Sequence, residues 1–189
     1  MSIQKIAVFG SARPKSGDLD YGEAEHLGRL LGQAGYIVLT GGYMGTMEAV
    51  SRGASEAGGH VIGVTCDELE AWRPVSHNRW VKEEMRFPRL RDRLLALIDE
   101  CDAALALPGG PGTLTEVSMM WNQLLIQAIP ARPLILIGPG WKVAFETMYQ
   151  VLGSYIGESE RSWLSFAENV EAAFQLLQSG NDRLEKHGL

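Results

Sequence analysis

The sequence has little cysteine: two residues in 189, Cys66 and Cys101, far apart and in no CxxC pair. That scarcity excludes a disulfide framework or a cysteine-built metal site as the organising feature, and reduced thiols are expected. Long hydrophobic runs are missing too. Apolar stretches such as 103–107 and 134–137 fall far short of the roughly 20 residues that cross a bilayer. The N-terminus enters a strand pattern directly, without the basic, apolar and small-residue regions of a secretory leader, so a cytoplasmic location is expected. Positive charge is outnumbered, 17 Lys and Arg against 23 Asp and Glu, for a formal net charge of −6. Such a balance argues against general binding to nucleic-acid backbones, and no membrane partner is expected either. No glycine loop continues into Lys-Ser or Lys-Thr, which excludes a Walker phosphate loop. A GxGxxG fingerprint is also absent after the first strand, where Gly10-Ser11-Ala12-Arg13-Pro14-Lys15 stands. The second strand ends in Thr40-Gly41 rather than in the acid that would hold a dinucleotide ribose, so an NAD-dependent oxidoreductase is disfavoured.

What is present is the makeup of one globular domain, 46% hydrophobic and 21% charged, long enough to bury a full core. Strand-length apolar runs recur at 3–9, 36–39, 61–64, 103–107 and 134–137, rich in Val, Ile, Leu and Ala without polar alternation. Runs of that kind suit strands buried on both faces of a parallel sheet. Helix-length segments lie between and after them, at 21–34, 44–57, 87–100, 113–127, 141–152 and 169–178, and a short edge strand fits 163–166. The alternation predicts a Rossmann-like, doubly wound α/β sandwich with a mainly parallel central sheet and helices on both faces. Neither a repeat nor a linker divides the chain, so one domain over residues 1–189 is expected. The segment 67–85 breaks the pattern; it is long for a connection, carries Trp72 and Trp80, and is placed to cover a site beyond the strand ends.

Two glycine loops carry the chemistry. The second strand ends in Thr40-Gly41-Gly42-Tyr43-Met44-Gly45-Thr46-Met47-Glu48-Ala49 and runs into a helix. The fourth ends in Pro108-Gly109-Gly110-Pro111-Gly112-Thr113-Leu114-Thr115-Glu116 and does the same. Glycines at such turns let successive N–H groups converge on an anion at the positive end of a helix dipole. Two loops of this type on neighbouring strands predict a phosphate cradle. A cationic segment holding Arg86, Arg89, Arg91 and Arg93 is a second lead, although a solvated helix face would read the same way.

The second loop matches the PGGxGTxxE motif of the Lonely Guy (LOG) family, formerly described as lysine-decarboxylase-like, and 41–49 resembles that family's GGxxGxMxA loop. Val8-Phe9-Gly10-Ser11 looks like its first strand and serine. The resemblance implies hydrolysis of the N-glycosidic bond of a nucleoside 5′-monophosphate, of AMP or cytokinin riboside type, giving free base and ribose 5-phosphate. It further implies Glu116 and Arg93 as catalytic residues. Ser11, Gly41, Gly42, Gly45, Thr46, Met47, Pro108, Gly109, Gly110, Gly112 and Thr113 would bind the substrate and its phosphate. In the family the arginine lies in an MHxRK segment; here Leu90-Arg91-Asp92-Arg93-Leu94 keeps the arginine and lacks the Met, His and Lys. No metal or redox cofactor is implied. Decarboxylase chemistry through pyridoxal phosphate would need a lysine, and Lys5, Lys15, Lys82, Lys142 and Lys186 all lie outside the glycine loops. The competing class is a non-catalytic binder or carrier of a phosphorylated ligand, such as a nucleotide or the molybdenum cofactor.

Local readings stand beside these. Thr113-Leu114-Thr115-Glu116 also fits a capping box, with Thr113 as the N-cap and Glu116 at the third helical position. Trp72 and Trp80 could stack on a base or simply pack, and His77 stands at no ligand spacing that would mark a metal. The run from Met119, Met120 and Trp121 to Ile126 is apolar on more than one helix face. That surplus predicts at least a homodimer, with the helices around 86–97 and 117–125 packed across a two-fold axis.

Overall fold

Strands without polar alternation must be covered on both faces, and the chain meets that demand with helices on either side of one sheet. The computed structural model describes residues 4–187. In chain order the elements are β1 (Lys5–Phe9), α1 (Leu19–Gln33), β2 (Ile37–Thr40), α2 (Thr46–Glu56), β3 (His60–Cys66), α3 (Asp67–Trp72), β4 (Glu83–Phe87) and α4 (Leu90–Asp99). There follow β5 (Ala103–Ala106), α5 (Pro111–Leu125), β6 (Leu134–Ile137), α6 (Pro139–Leu152), α7 (Glu158–Arg161), β7 (Ser165–Ala167) and α8 (Val170–His187). The seven strands lie in the order β4-β3-β2-β1-β5-β6-β7. Every pairing is parallel.

The two-residue strand period sorts the core into two layers. Ile6, Val8, Val38 and Leu105 face α1, α2 and α8, packing with Leu27, Leu31, Val50 and Ala173. Ala7, Phe9, Leu39 and Ala106 face α4, α5 and α6, packing with Leu97, Val117, Met120 and Phe145. The chain winds outward from β1 through β4, then returns to β5 on the other side of β1. Winding therefore reverses between β1 and β5, and the crevice beyond their carboxyl ends is where such a sheet receives a ligand.

Several expectations are adjusted. The strand expected at 36–39 is β2, one residue later, and residue 3 lies outside the described residues. Part of the segment 67–85 is regular structure rather than a covering loop, forming α3 and the first residues of β4, which adds an edge strand beside β3. Its sequence, Glu83-Glu84-Met85-Arg86-Phe87, reads as charge-rich, yet Met85 and Phe87 alternate onto the core while their charged neighbours stay outside. Charged alternate positions on a terminal strand also discourage pairing with another sheet. The following helix was expected from residue 87 and begins at Leu90, because Phe87 completes β4 and Pro88 breaks the run. Pro111 opens α5, so Gly110 is the N-cap and the Leu114 N–H donates to the Gly110 carbonyl at 3.0 Å. Thr113 is consequently the third helical residue and Glu116 the sixth; the capping box read from the sequence does not form.

Candidate active site at the switch point

The two glycine loops do not sit on neighbouring strands, because β1 separates β2 from β5. The end of β1 fills the space between them. Thr46, first residue of α2, donates its N–H to the Ser11 carbonyl at 2.8 Å and its hydroxyl to the same oxygen at 3.1 Å. At Gly45 a φ of 75° and a would-be Cβ lying 2.3 Å from the Ser11 carbonyl oxygen leave room for glycine alone. Ser11, Gly45 and Thr46 are thus brought together, but as one packed junction.

That packing changes how the first loop can treat an anion. Its Gly42 N–H is committed to the Thr40 hydroxyl at 3.1 Å, and the Thr46 N–H is committed to Ser11. Ahead of α5, by contrast, the N–H groups of Gly109, Gly110, Gly112 and Thr113 donate to no protein acceptor among the described residues. Gly110 and Gly112 have open space where a side chain would stand, whereas a Cβ at Gly109 would lie 2.2 Å from the Thr113 hydroxyl oxygen. Free N–H groups at the start of a 15-residue helix are the arrangement that suits an anion. Pro108 and Thr46 share the wall of a cavity of about 180 Å³ reaching toward Ile137 and Val170.

Next to this receptor, on the α4 and α5 side of the sheet, lie the two expected catalytic residues. Arg93, 6% exposed, is the fourth residue of α4 and lies under the β2–α2 loop. Its Nε donates to the Val64 carbonyl at 2.7 Å and its Nη2 to the Gly41 carbonyl at 3.3 Å. A Cβ on Gly41 would approach Arg93 Nη2 to 2.1 Å and Met47 Sδ to 2.4 Å, so Gly41, Met47 and Arg93 form one contact. Arg93 Nη1 stands 3.8 Å from Glu116 Oε1, close enough for attraction but beyond hydrogen-bond reach. Burial pushes the Glu116 carboxyl up to about 7, against the opposing pull of Arg93. A carboxyl balanced near neutrality beside a buried guanidinium can exchange a proton and stabilise positive charge forming in front of it.

The remaining leads are distributed differently from expectation. The basic segment is no patch: Arg86 pairs with Asp67 at 2.8 Å and Glu70 at 2.6 Å, Arg91 with Asp92, and Arg93 is buried. Trp80 is flanked by Arg79 and Arg52, with guanidinium carbons 4.6 and 5.9 Å from its ring, and Trp72 is 76% exposed beside Arg73. Both cysteines are buried free thiols. Among the described residues no cluster of three or more metal-binding side chains occurs, and no helix is long and apolar enough to cross a membrane.

Sequence reasoning missed a strut. Asn78 donates its N–H to the Gly42 carbonyl at 2.7 Å, and its Nδ2 reaches the Gly42 and Tyr43 carbonyls at 3.0 Å each. The connection between α3 and β4 thereby pins the first glycine loop. A lone Asn inside an irregular segment carries no periodic signal, and only its partners reveal it.

A doubly wound parallel sheet with a helix N-terminus at its switch point, backed by a buried Arg–Glu pair, defines a Rossmann-like α/β class. Within that class the chain belongs to the SLOG cluster4 family, whose model matches residues 3–127. A rice protein, probable cytokinin riboside 5′-monophosphate phosphoribohydrolase LOGL5, is 32% identical over 131 residues, 68% of this chain and 52% of that protein. This chain thus spans about half the length of the rice relative. The cytokinin riboside 5′-monophosphate phosphoribohydrolase of Mycobacterium tuberculosis is 28% identical, over 71% of this chain and 70% of that protein. Among solved structures, the molybdenum cofactor binding protein of Rippkaea orientalis superposes with a TM-score of 0.74 at 23% identity, over 95% of this chain and 98% of that one. That likeness establishes a shared fold.

Proposed function

We propose that the protein is a cytoplasmic nucleoside 5′-monophosphate phosphoribohydrolase, releasing a free base and ribose 5-phosphate. One observation carries the reading: the Glu116 carboxyl, buried and pushed up to about 7, lies 3.8 Å from Arg93 and inside the helix whose mouth presents free N–H groups. Four residues of helical rise separate Gly112 from Glu116, about 6 Å. A 5′-phosphate seated on Gly109, Gly110, Gly112 and Thr113 would therefore bring its ribose beside the carboxyl. Water adds its oxygen to the anomeric carbon as the bond from that carbon to the base nitrogen breaks. Glu116 takes the water proton and steadies the oxocarbenium-like charge, while the base leaves with the bond's electron pair and takes a proton from solvent, to which Glu116 then returns its own. Arg93 directs its remaining donors at the ribose hydroxyls or phosphate. Relatives named as phosphoribohydrolases support the reaction class. Ser11, Gly41, Gly42, Gly45, Thr46, Met47 and Pro108 shape the site around this machinery.

The same reading makes the protein a homodimer. Leu90 and Leu95 on α4, with Leu114 and Met119 on α5, leave apolar surface exposed on the adjoining helices, a face that a second copy would cover. The deciding experiment incubates a panel of nucleoside monophosphates with the protein and looks for free base by chromatography. Binding without release on every nucleotide overturns the enzyme reading and leaves a carrier of a phosphorylated ligand.

A further inference from the structure

A buried guanidinium draws toward the nearest carboxylate unless something else holds it, because in a poorly solvated site a closed, hydrogen-bonded pair is the cheapest way to keep both charges. Arg93 and Glu116 are both buried, yet they stop 3.8 Å apart. Two backbone carbonyls account for part of that restraint, Val64 on Nε and Gly41 on Nη2. The third partner is Tyr43, a position that the glycine motif leaves variable. Its ring centroid lies 5.8 Å from the Arg93 guanidinium carbon, within the range where a ring face attracts a cation. The ring itself is fixed. Tyr43 is 2% exposed; its hydroxyl accepts the Cys66 N–H at 2.9 Å and lies 3.2 Å from the Cys66 carbonyl and 3.3 Å from Glu70. Glu70 in turn is bound by Arg86.

We infer that Tyr43 is a positioning residue: its ring holds the Arg93 guanidinium short of Glu116, so that the pair stays open for a ligand. The consequence for turnover rests on the phosphoribohydrolase reading, whereas the consequence for Glu116 itself does not. Arg93 is the charge that acts on Glu116 from α4, and Tyr43, Cys66 and Glu70 are the titratable groups gathered behind Arg93. When the ring loosens its hold, Arg93 closes on the carboxylate, commits Nη1 to it, and pulls the Glu116 titration downward.

The test replaces Tyr43 by Phe, which keeps the ring, and then by mono- and trifluorinated phenylalanines, which keep its shape while draining the charge from its face. In each background, unfolding stability is compared with that of the matching Glu116→Gln double variant across pH, which isolates the Glu116 titration. Tyr43→Phe is expected to leave the midpoint near that of the parent. Stepwise fluorination is expected to lower it stepwise, and to lower kcat by roughly 3- to 30-fold in the trifluorinated protein. A trifluorinated protein whose midpoint stays put or rises overturns the inference. If the parent releases no base, the proposed reaction fails while the midpoint series still decides the role of Tyr43.

Discussion

Replacing Glu116 by Gln should stabilise the protein at neutral and alkaline pH, and the structure sets the size of the effect. Burial raises this carboxyl from its ordinary 4.5 to about 7, with Arg93 opposing the rise. Between those values the folded chain keeps the proton that the unfolded chain has lost, so stability falls as pH increases, by about 1.4 kcal/mol per pH unit. The contribution is fully present below 4.5 and fully lost once pH passes about 7. Across that window the loss sums to about 3 kcal/mol. Glutamine mimics the protonated acid in shape and neutrality and never has to desolvate a charge. Urea unfolding of parent and variant at a series of pH values from 4.5 to 8.5 gives a difference curve. It should start near zero, climb in favour of Glu116→Gln to about 3 kcal/mol near pH 7, and then stay level. At pH 8 that advantage corresponds to a melting point higher by roughly 6–12 °C for a chain of this size. Turnover should move the other way, falling roughly 10²- to 10⁴-fold with the loss of the carboxylate. A flat difference curve would refute the burial argument, and undiminished turnover would refute the catalytic one.

Arg93→Met strips Glu116 of its cation and leaves the Val64 and Gly41 carbonyls without their donors, so about 3–5 kcal/mol should be lost at pH 8, measured by denaturant unfolding. In that variant the Glu116 midpoint should move further up, because burial then acts unopposed. Asn78→Ala should cost about 1–3 kcal/mol and should weaken phosphate or nucleotide binding in calorimetry, since it unpins the Gly42 and Tyr43 carbonyls. Met119→Glu on the exposed face of α5 should convert a dimer to a monomer by light scattering without unfolding it; a parent that is already monomeric refutes the interface.

The sheet was legible because burial on both faces writes itself into composition. The runs at 103–107 and 134–137 contain β5 and β6, and their apolar side chains alternate between two helix layers as the strand period requires. β4 was not legible for the opposite reason. An edge strand buries one face only, and Glu83-Glu84-Met85-Arg86-Phe87 offers two apolar side chains among three charges, a pattern that a solvated helix or loop shares. Its pairing with β3 comes from tertiary contact, and Arg86 sets its charges against Asp67 and Glu70 of α3, acids that precede it by some sixteen to nineteen residues. Strand order was equally invisible. Nothing in two glycine loops announces that β1 stands between their strands.

The candidate site was legible in its residues and misread in its mechanics, and Glu116 shows why. Thr113 and Glu116 stand three apart before an apolar run, which is the spacing of a capping box. Pro111 outranks that signal: its fixed φ starts the helix three residues earlier than the box would, and the N-cap falls to Gly110. Two consequences follow from that shift. With no Glu116 side chain folded back on it, the Thr113 N–H donates to no protein acceptor among the described residues, and neither do those of Gly109, Gly110 and Gly112. Glu116, displaced from the first turn to the sixth position, leaves the solvent-facing helix mouth for a buried wall beside Arg93, where its carboxyl rises to about 7 instead of gaining from the helix dipole. A capping glutamate would stabilise the fold as an anion, and its replacement by Gln would cost a little. The buried glutamate destabilises the fold as an anion, so the same replacement gains stability above neutrality. The sign of that single measurement therefore separates the two placements of Glu116, independently of any substrate.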